Sequence, residues 1–293
     1  MARDRRGLST GARGQQGVPH AKGQIVDSSY QVGTDVWVLP SHLDVPGAGT
    51  LLINSFVLCA EQPVLIDTGL GTDGQAFIDA VASVVDLAEL KWIWLTHDDS
   101  DHTGNLPAIM RLAPNARLAT HGLGALRMAS WWPLPLDRVH ALALGDRLDV
   151  GDRTLRAVRP PTYDNPMSTG IVDESTATFF SVDSFGAILP SAVQSLGELS
   201  EDELIGGMTA WATFDSPWMH MVDRRLLAQT LDEVRRLDPA RILSSHLPAA
   251  TGRIEQFLDL LASVPDAPPF SAPDATAFGH IAAALLAATP TSI

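Results

Sequence analysis

Short apolar runs alternate along this chain with segments of helical periodicity. Near the amino terminus the runs are VWVLP at 36–40, LLINSFVLCA at 51–60, PVLIDTG at 63–69 and WIWLT at 92–96. They are rich in β-branched or aromatic residues and are bounded by Gly, Pro or Asp, which is typical of strands. Between them, Phe77, Ile78, Val81 and Val84 or Val85 recur at helical spacing and predict an amphipathic helix.

The same alternation continues through the second half. Strand-like runs occur in ARLAT, RVHALA, DRLDV, TLRAVRP, ATFFSVD and RILSSH, and helical patterns occur in LPAIMRLAP and DRRLLAQTLDEVRRL. Strand-rich segments with helices between them in both halves predict an α+β fold, a sandwich of two sheets with helices outside.

Composition sets the domain boundaries. Residues 1–24 are rich in Arg, Gly and Gln without an apolar segment, so we expect a disordered N-terminal tail and not a secretory signal. Residues 25–264 are expected to form one domain, and residues 265–293 a Pro-rich linker with a short C-terminal helix. The apolar runs are too short to predict a transmembrane helix.

Charge and cysteine content narrow the functional classes. The formal net charge is −14, from 20 Lys and Arg against 34 Asp and Glu, which argues against binding nucleic acid or an anionic membrane. The single cysteine, Cys59, excludes an intrachain disulfide and a cysteine-based metal cluster. We therefore expect a cytoplasmic protein in which Cys59 is a buried strand thiol.

The strongest chemical signal is the loop WLTHDDSDHTG at 94–104. Within six residues His97, Asp99, Asp101 and His102 offer two imidazoles and two carboxylates, with Asp98 as a further candidate. A tight loop at a strand end can aim such groups at one point, and two adjacent metal ions could share them. The alternative is a solvated acidic turn with incidental histidines, which the pairing and the preceding strand disfavour.

The residues after this loop extend the pattern. The chain continues NLPAIMRLAPNA at 105–116, and the whole segment resembles the flavodiiron branch of the metallo-β-lactamase superfamily, the oxygen- and nitric-oxide-reducing diiron proteins. LLINSFVL with PVLIDTG, FFSVDSFG at 179–186 and SSHLP at 244–248 are similar to further segments of that family. The resemblance implies a metallo-β-lactamase αββα sandwich, with two mixed β-sheets flanked by helices.

The resemblance also implies a set of metal ligands. The first metal would take His97, Asp99 and a bridging Asp183, and the second would take Asp101, His102, Asp183 and His246. One family histidine is missing, because Thr162 stands at its position in PPTYDNPM. Asp164, Tyr163 or water could complete the first site. His220, in SPWMHMVD, is either a residue near the site or part of a packed aromatic helix entry.

The predicted ligand set bears on the metal and its partners. Added carboxylates favour iron or manganese over zinc, so we expect two metal ions, iron in preference to zinc or manganese. The chain contains no phosphate-cradling loop for a flavin. Any reduction would therefore need an external donor such as a flavoprotein. The resemblance makes a homodimer plausible.

Three functions follow as hypotheses. The first is a flavodiiron-like oxidoreductase that binds or reduces O2 or NO, and we favour it. The second is a metal-dependent hydrolase of a small-molecule ester, lactone or phosphoester, acting through a bridging hydroxide. The third is a non-enzymatic sensor of diatomic gases. The extended match through Ala116 disfavours the second, whereas the missing flavin site favours the third.

Overall fold

The computed structural model describes residues 24, 25, 28–45 and 47–288. The strands are β1 Gln24–Ile25, β2 Tyr30–Val32, β3 Val36–Val45, β4 Gly49–Leu58, β5 Val64–Ile66, β6 Trp92–Trp94, β7 Arg117–His121, β8 Val139–Leu142, β9 Arg147–Asp149, β10 Thr154–Val158, β11 Gly170–Asp173, β12 Thr178–Val182, β13 Ile188–Leu189, β14 Arg241–Ser244 and β15 Ala250–Thr251. The helices are α1 Gly74–Val84, α2 Ser100–Thr103, α3 Leu106–Leu112, α4 Gly122–Ala129, α5 Glu201–Asp215, α6 Arg224–Arg235, α7 Ile254–Ser263 and α8 Ala275–Ala288. Short 3-10 turns cover Leu136–Arg138, Leu196–Glu198, Pro217–Met221 and Val264–Asp266.

The strands form two mixed sheets. The first runs in the order β1-β3-β4-β5-β6-β7-β8, with β2 beside β3 and β13 beside β4. It is antiparallel from β3 to β5 and parallel from β5 to β8. The second runs β15-β14-β12-β11-β10-β9, with β12 and β14 parallel.

Each sheet buries apolar side chains on both faces, which fixes a four-layer arrangement. Between the sheets, Phe56 and Phe180 meet edge to face with ring centroids 5.4 Å apart. A second apolar cluster joins the outer face of the first sheet to α1, α3 and α4. A third joins the outer face of the second sheet to α5, α6 and α7. The order is therefore helices, sheet, sheet, helices.

The structure confirms the predicted sandwich of two mixed sheets flanked by helices. The prediction for Cys59 is wrong: β4 ends at Leu58, and the next residue is exposed. Residues 1–23 of the predicted tail lie outside the described residues, and Gln24 begins β1, which pairs with β3. Within the described part of the chain, no helix has the length and apolarity that crossing a membrane demands.

Candidate metal centre

Parallel strand ends in both sheets carry the predicted ligands. In the first sheet β5 and β6 are parallel neighbours, and they end shortly before Asp67 and His97. In the second sheet β12 and β14 are parallel, and they lead into Asp183 and His246. The carboxyl ends of adjacent parallel strands lie at one edge of a sheet, where polar groups can converge.

The side chain of Asp183 lies between two groups of ligands. Its Oδ1 lies 3.1 Å from Nε2 of both His102 and His246, and its Oδ2 lies 3.4 Å from Nε2 of His97. Atoms that bind one cation at about 2.0–2.2 Å lie roughly 3.0–3.6 Å apart at tetrahedral or octahedral angles. The separations therefore suit two cations, one facing each oxygen of Asp183.

The second group of ligands has two imidazoles. Asp101 Oδ2 lies 3.5 Å from Nε2 of His102 and 3.7 Å from Nε2 of His246. These three residues offer ligand atoms that all lie within 4.8 Å of one another. With Asp183 they give a set of two nitrogens and two oxygens.

The first group of ligands is richer in oxygen. Ligand atoms of His97, Asp99 and Asp164 lie within 4.8 Å of one another, and His97 Nε2 is 3.8 Å from Asp99 Oδ2. Thr162, at the position of the missing histidine, is buried and hydrogen-bonded to Ser184 instead. The structure therefore brings Asp164 beside His97 and Asp99, and with Asp183 these residues offer one nitrogen and three oxygens.

Each histidine has its other ring nitrogen engaged. Nδ1 of His102 is 2.8 Å from Asp67 Oδ2, and Nδ1 of His246 is 2.7 Å from the carbonyl of Leu52. Nδ1 of His97 is 3.2 Å from the hydroxyl of Thr96, which in turn donates to Asp67 Oδ2 at 2.8 Å. Because Nδ1 then carries the proton, each Nε2 presents a lone pair to a cation. The donor set therefore fits a dinuclear metal centre.

Charge within the cluster shifts pKa values in opposite directions. Burial alone would lower the pKa of His102, but Asp101, Asp67 and Asp183 raise it well above its ordinary value of 6.5. Burial alone would raise the pKa of Asp183, but His97 and His102 hold it well below 3.8. Without a cation, these carboxylates stabilise a proton on His102, and a metal that bound there would displace it.

Asp98 and Asn165 orient the carboxylate of Asp99. The amide of Asn165 donates to Asp98 Oδ1 at 2.9 Å and to Asp99 Oδ1 at 3.1 Å. Arg127 forms a bidentate ion pair with Asp98, and its guanidinium lies 3.7 Å from Asp99 Oδ1. Because these donors hold Oδ1, Oδ2 of Asp99 is left for a metal beside His97. Asp98 itself is occupied by Arg127 and Asn165.

Close backbone packing against residues 68–71 holds the ligand loop in place. Thr68 donates through its backbone NH and its hydroxyl to the carbonyl of His102, at 2.7 and 2.8 Å. Gly104 donates to the carbonyl of Gly69 at 2.9 Å, and a Cβ at Gly104 would meet the nitrogen of Gly71 at 2.0 Å. The segment DTG at 67–69 therefore fixes the position of the segment HTG at 102–104.

A cavity of about 430 Å³ opens over the ligand cluster. Besides the ligands it is lined by Leu43, Val45, Leu51, Ile53, Leu70, Ser100, Trp211, Phe214 and Asp215. The indole of Trp211 donates to the carbonyl of Asp183 at 2.9 Å and packs against His246, with ring centroids 4.6 Å apart. An apolar wall with convergent polar ligands is typical of a small-molecule site.

Asp215 is a cavity residue that sequence reasoning missed. Asp215 is buried, and carboxylate oxygens of Asp215, Asp164 and Asp183 all lie within 4.8 Å of one another. Burial, together with the charges of Asp183 and Asp164, raises the pKa of Asp215 to about 8. A carboxyl that keeps its proton near neutral pH can donate a hydrogen bond into the cavity. Its segment, WATFDSPW, carries no spacing signal that points to the ligand loop.

Asp67 was also missed, although a signal existed. It follows the apolar run VLI directly, at the strand end next to the one that leads to His97. Two candidates lie elsewhere: neither Tyr163 nor His220 lines the 430 Å³ cavity. Tyr163 packs instead on Trp218, and His220 lies in the turn Pro217–Met221.

Comparisons with known proteins identify the family of this chain. A family model described as ODP family beta lactamase matches residues 51–246. The chain is 24% identical over 226 residues to an uncharacterized protein of Methanocaldococcus jannaschii, covering 76% of this chain and 55% of that protein. It is 29% identical over 134 residues to the anaerobic nitric oxide reductase flavorubredoxin of Salmonella typhi, covering 45% of this chain and 28% of that protein.

A solved structure shares the fold. The flavodiiron protein from Giardia intestinalis superimposes with a TM-score of 0.71 at 16% identity, over 82% of this chain and 59% of that chain. The chain thus spans about half, or less, of the length of the curated relatives it matches. Because the family model extends from β4 to His246, the chain belongs to the ODP beta-lactamase family, and it covers the metallo-β-lactamase-fold part of its flavodiiron relatives.

Proposed function

We propose that this protein holds a dinuclear non-haem iron centre that binds or reduces O2 or NO, with electrons from an external donor. The observation that carries the proposal is the placement of Asp183, whose two carboxylate oxygens face two separate groups of ligands. A bridging carboxylate holds two cations close together, and pairs in dinuclear sites lie about 3.5–4 Å apart.

The donor atoms favour iron over zinc. His97, His102 and His246 supply three imidazoles, against four carboxylates from Asp99, Asp101, Asp164 and Asp183. Structural zinc sites are tetrahedral and rich in His or Cys, whereas carboxylate-rich sites with open positions suit iron or manganese. Two divalent cations would also balance the charge of the four carboxylates.

The surroundings suit a small, weakly polar ligand. Bound iron would supply electrons and open coordination positions for a diatomic molecule. The chain's own residues keep the rest of the site in place. Asp67 fixes the ring of His102, Trp211 holds the backbone of Asp183, and Phe214 and Ile53 help form an apolar wall. The nitric oxide reductase named among the relatives agrees with this choice of substrate class.

The test begins with protein purified anaerobically from iron-supplied cells. We expect about two irons per chain and an optical change on exposure to O2 or NO. With a chemically reduced viologen as the donor, we expect consumption of one of the two gases. Asp183→Ala should abolish the iron content and the gas consumption, whereas His121→Ala, outside the cluster, should retain both.

The same measurements separate the alternatives. Stoichiometric zinc with ester, lactone or phosphoester turnover, and no response to O2, would overturn the proposal in favour of a hydrolase. Two irons that bind gas without consuming it would reject reduction and leave gas binding, as a sensor requires.

A further inference from the structure

A second cavity, of about 710 Å³, lies apart from the ligand cluster. Its walls come from three parts of the chain: the end of β10 and the segment that follows it, the turn Pro217–Met221, and helix α6. Val158, Leu227 and Val234 are among its aliphatic lining residues, and none of the proposed metal ligands lines it. Its volume lies in the range of about 300–1,000 Å³ that small organic ligands occupy.

Two aromatic side chains form one wall of this cavity. The rings of Tyr163 and Trp218 lie 5.6 Å apart at 45°, and the indole NH of Trp218 donates to the carbonyl of Tyr163 at 2.8 Å. Both residues are partly exposed to the cavity. Aromatic rings held in place in this way offer an apolar surface against which a planar ring can pack.

Arginines give the cavity a positive charge. Arg159 lies over the ring of Tyr163 at 4.8 Å, and its hydrogen bonds go to the backbone carbonyls of Pro166 and Ser168, at 2.9 Å each. Those carbonyls are neutral, so they leave the charge of Arg159 uncompensated. Arg236 also lines the cavity and is exposed, and its guanidinium forms no ion pair or hydrogen bond with another described residue.

The remaining charges do not cancel this excess. Arg156 lines the cavity too, and its Nε donates to Glu174 at 2.8 Å. Glu233 is the carboxylate among the lining residues, against two arginines without a carboxylate partner. A cationic cavity in a chain of net charge −14 selects against cations and favours an anion.

We propose that this cavity binds a planar aromatic anion, with the ring packed against Trp218 and Tyr163 and the anionic group facing Arg159 and Arg236. The site is distinct from the metal centre, and its occupation does not depend on the metal content. Charge-assisted hydrogen bonds to guanidinium groups give such a ligand its orientation. The apolar lining from β10 and α6 would contact the ring edge.

The test compares two probes of the same shape. Isothermal titration calorimetry is run on the full chain with 2-naphthoate and with the neutral 2-naphthamide, at low and at high salt. We expect one 2-naphthoate per chain, bound about tenfold more tightly than 2-naphthamide. The difference should shrink as salt screens the exposed arginine. Equal binding of the two probes, or no saturable binding of either, would overturn the proposal.

Variants locate the binding. Arg236→Gln should weaken 2-naphthoate about tenfold and leave 2-naphthamide unchanged, and Arg236→Lys should restore most of the loss. Arg225→Gln, at an exposed arginine of α6 that does not line the cavity, should have no effect. The metal ligand variant Asp183→Ala should bind 2-naphthoate normally. Loss in Asp183→Ala with full binding in Arg236→Gln would place the probe at the metal centre and refute the assignment.

Discussion

Asp67 offers the sharpest perturbation, because it touches the proposed centre without being a ligand. Its Oδ1 accepts from the NH of Thr96, and its Oδ2 accepts from the hydroxyl of Thr96 and faces Nδ1 of His102, all at 2.8 Å. In Asp67→Asn, one of these positions becomes an NH2 group. Whichever way the amide turns, its NH2 faces a buried donor, either the NH of Thr96 or the ring NH of His102.

The Asp67→Asn substitution should mainly weaken the binding of one metal. Loss of such a carboxylate partner typically weakens metal binding about 10- to 100-fold, or roughly 1.4–2.7 kcal/mol. Asn tolerates the left-handed backbone at this position, where φ is +58°, so the fold should survive. The second metal, bound by His102, should therefore weaken more than the first, because His97 reaches Asp67 only through the hydroxyl of Thr96.

The assay is anaerobic competition of Fe²⁺ against a chelator, with circular dichroism to monitor folding. Asp73→Asn is the matched control, because Asp73 is also buried and accepts from Ser41 at 2.7 Å but lies outside the ligand cluster. The control should bind both metals normally. If a folded Asp67→Asn variant binds both metals as tightly as the wild type, Asp67 does not set the donor state of His102.

Three further predictions follow. His102→Ala and Asp183→Ala should lose metal in elemental analysis while His121→Ala keeps it; two metals retained in Asp183→Ala would contradict the bridge. In metal-free protein, the raised pKa of His102 adds stability that is fully present below pH 6.5 and is lost as pH rises through the folded-state pKa. The lowered pKa of Asp183 adds stability that is present above pH 3.8 and is lost as pH falls through the folded-state pKa. Thermal unfolding in EDTA should therefore show the largest contribution of the His102–Asp183 pair between pH 3.8 and 6.5, and a contribution of this pair that grew above pH 6.5 would contradict the pairing. Gly104→Ala should lower the free energy of unfolding by about 3 kcal/mol or more, because its Cβ would meet backbone at 2.0 Å. Gly206→Ala, with open space in α5, should raise it by roughly 0.5–1 kcal/mol. Equal denaturation midpoints for the two variants would argue against the tight packing at Gly104.

The pattern of the chain was sufficient to predict the sandwich, because runs such as LLINSFVLCA and WIWLT have apolar residues at most positions. Such runs belong to strands that are buried on both faces, as in a sheet that lies between another sheet and a layer of helices. The ligand loop was visible for a local reason: four of its polar groups lie within six residues. Asp183 and His246 were identified only through their context in FFSVD and SSHLP, since neither segment is specific alone.

What the sequence left open depends on contacts between distant segments. That Asp164 and not Tyr163 faces His97 is decided by the turn after β10, where Thr162 is held by Ser184 and Tyr163 packs on Trp218. No periodicity encodes that turn.

Asp215 reaches the centre because α5 packs beside β13, and the donors of Asn165 reach Asp99 across 66 residues of chain. Cys59 was placed wrongly because an apolar run does not mark the residue at which its strand ends.

The central claim is that Asp183 bridges two iron ions. Anomalous diffraction from crystals of the iron-loaded protein, measured on both sides of the iron absorption edge, tests it directly. We predict two iron peaks about 3.5–4 Å apart, one on each oxygen of Asp183, with Asp164 on the iron that His97 binds. A single peak, or a pair of metals not joined by Asp183, would contradict the account.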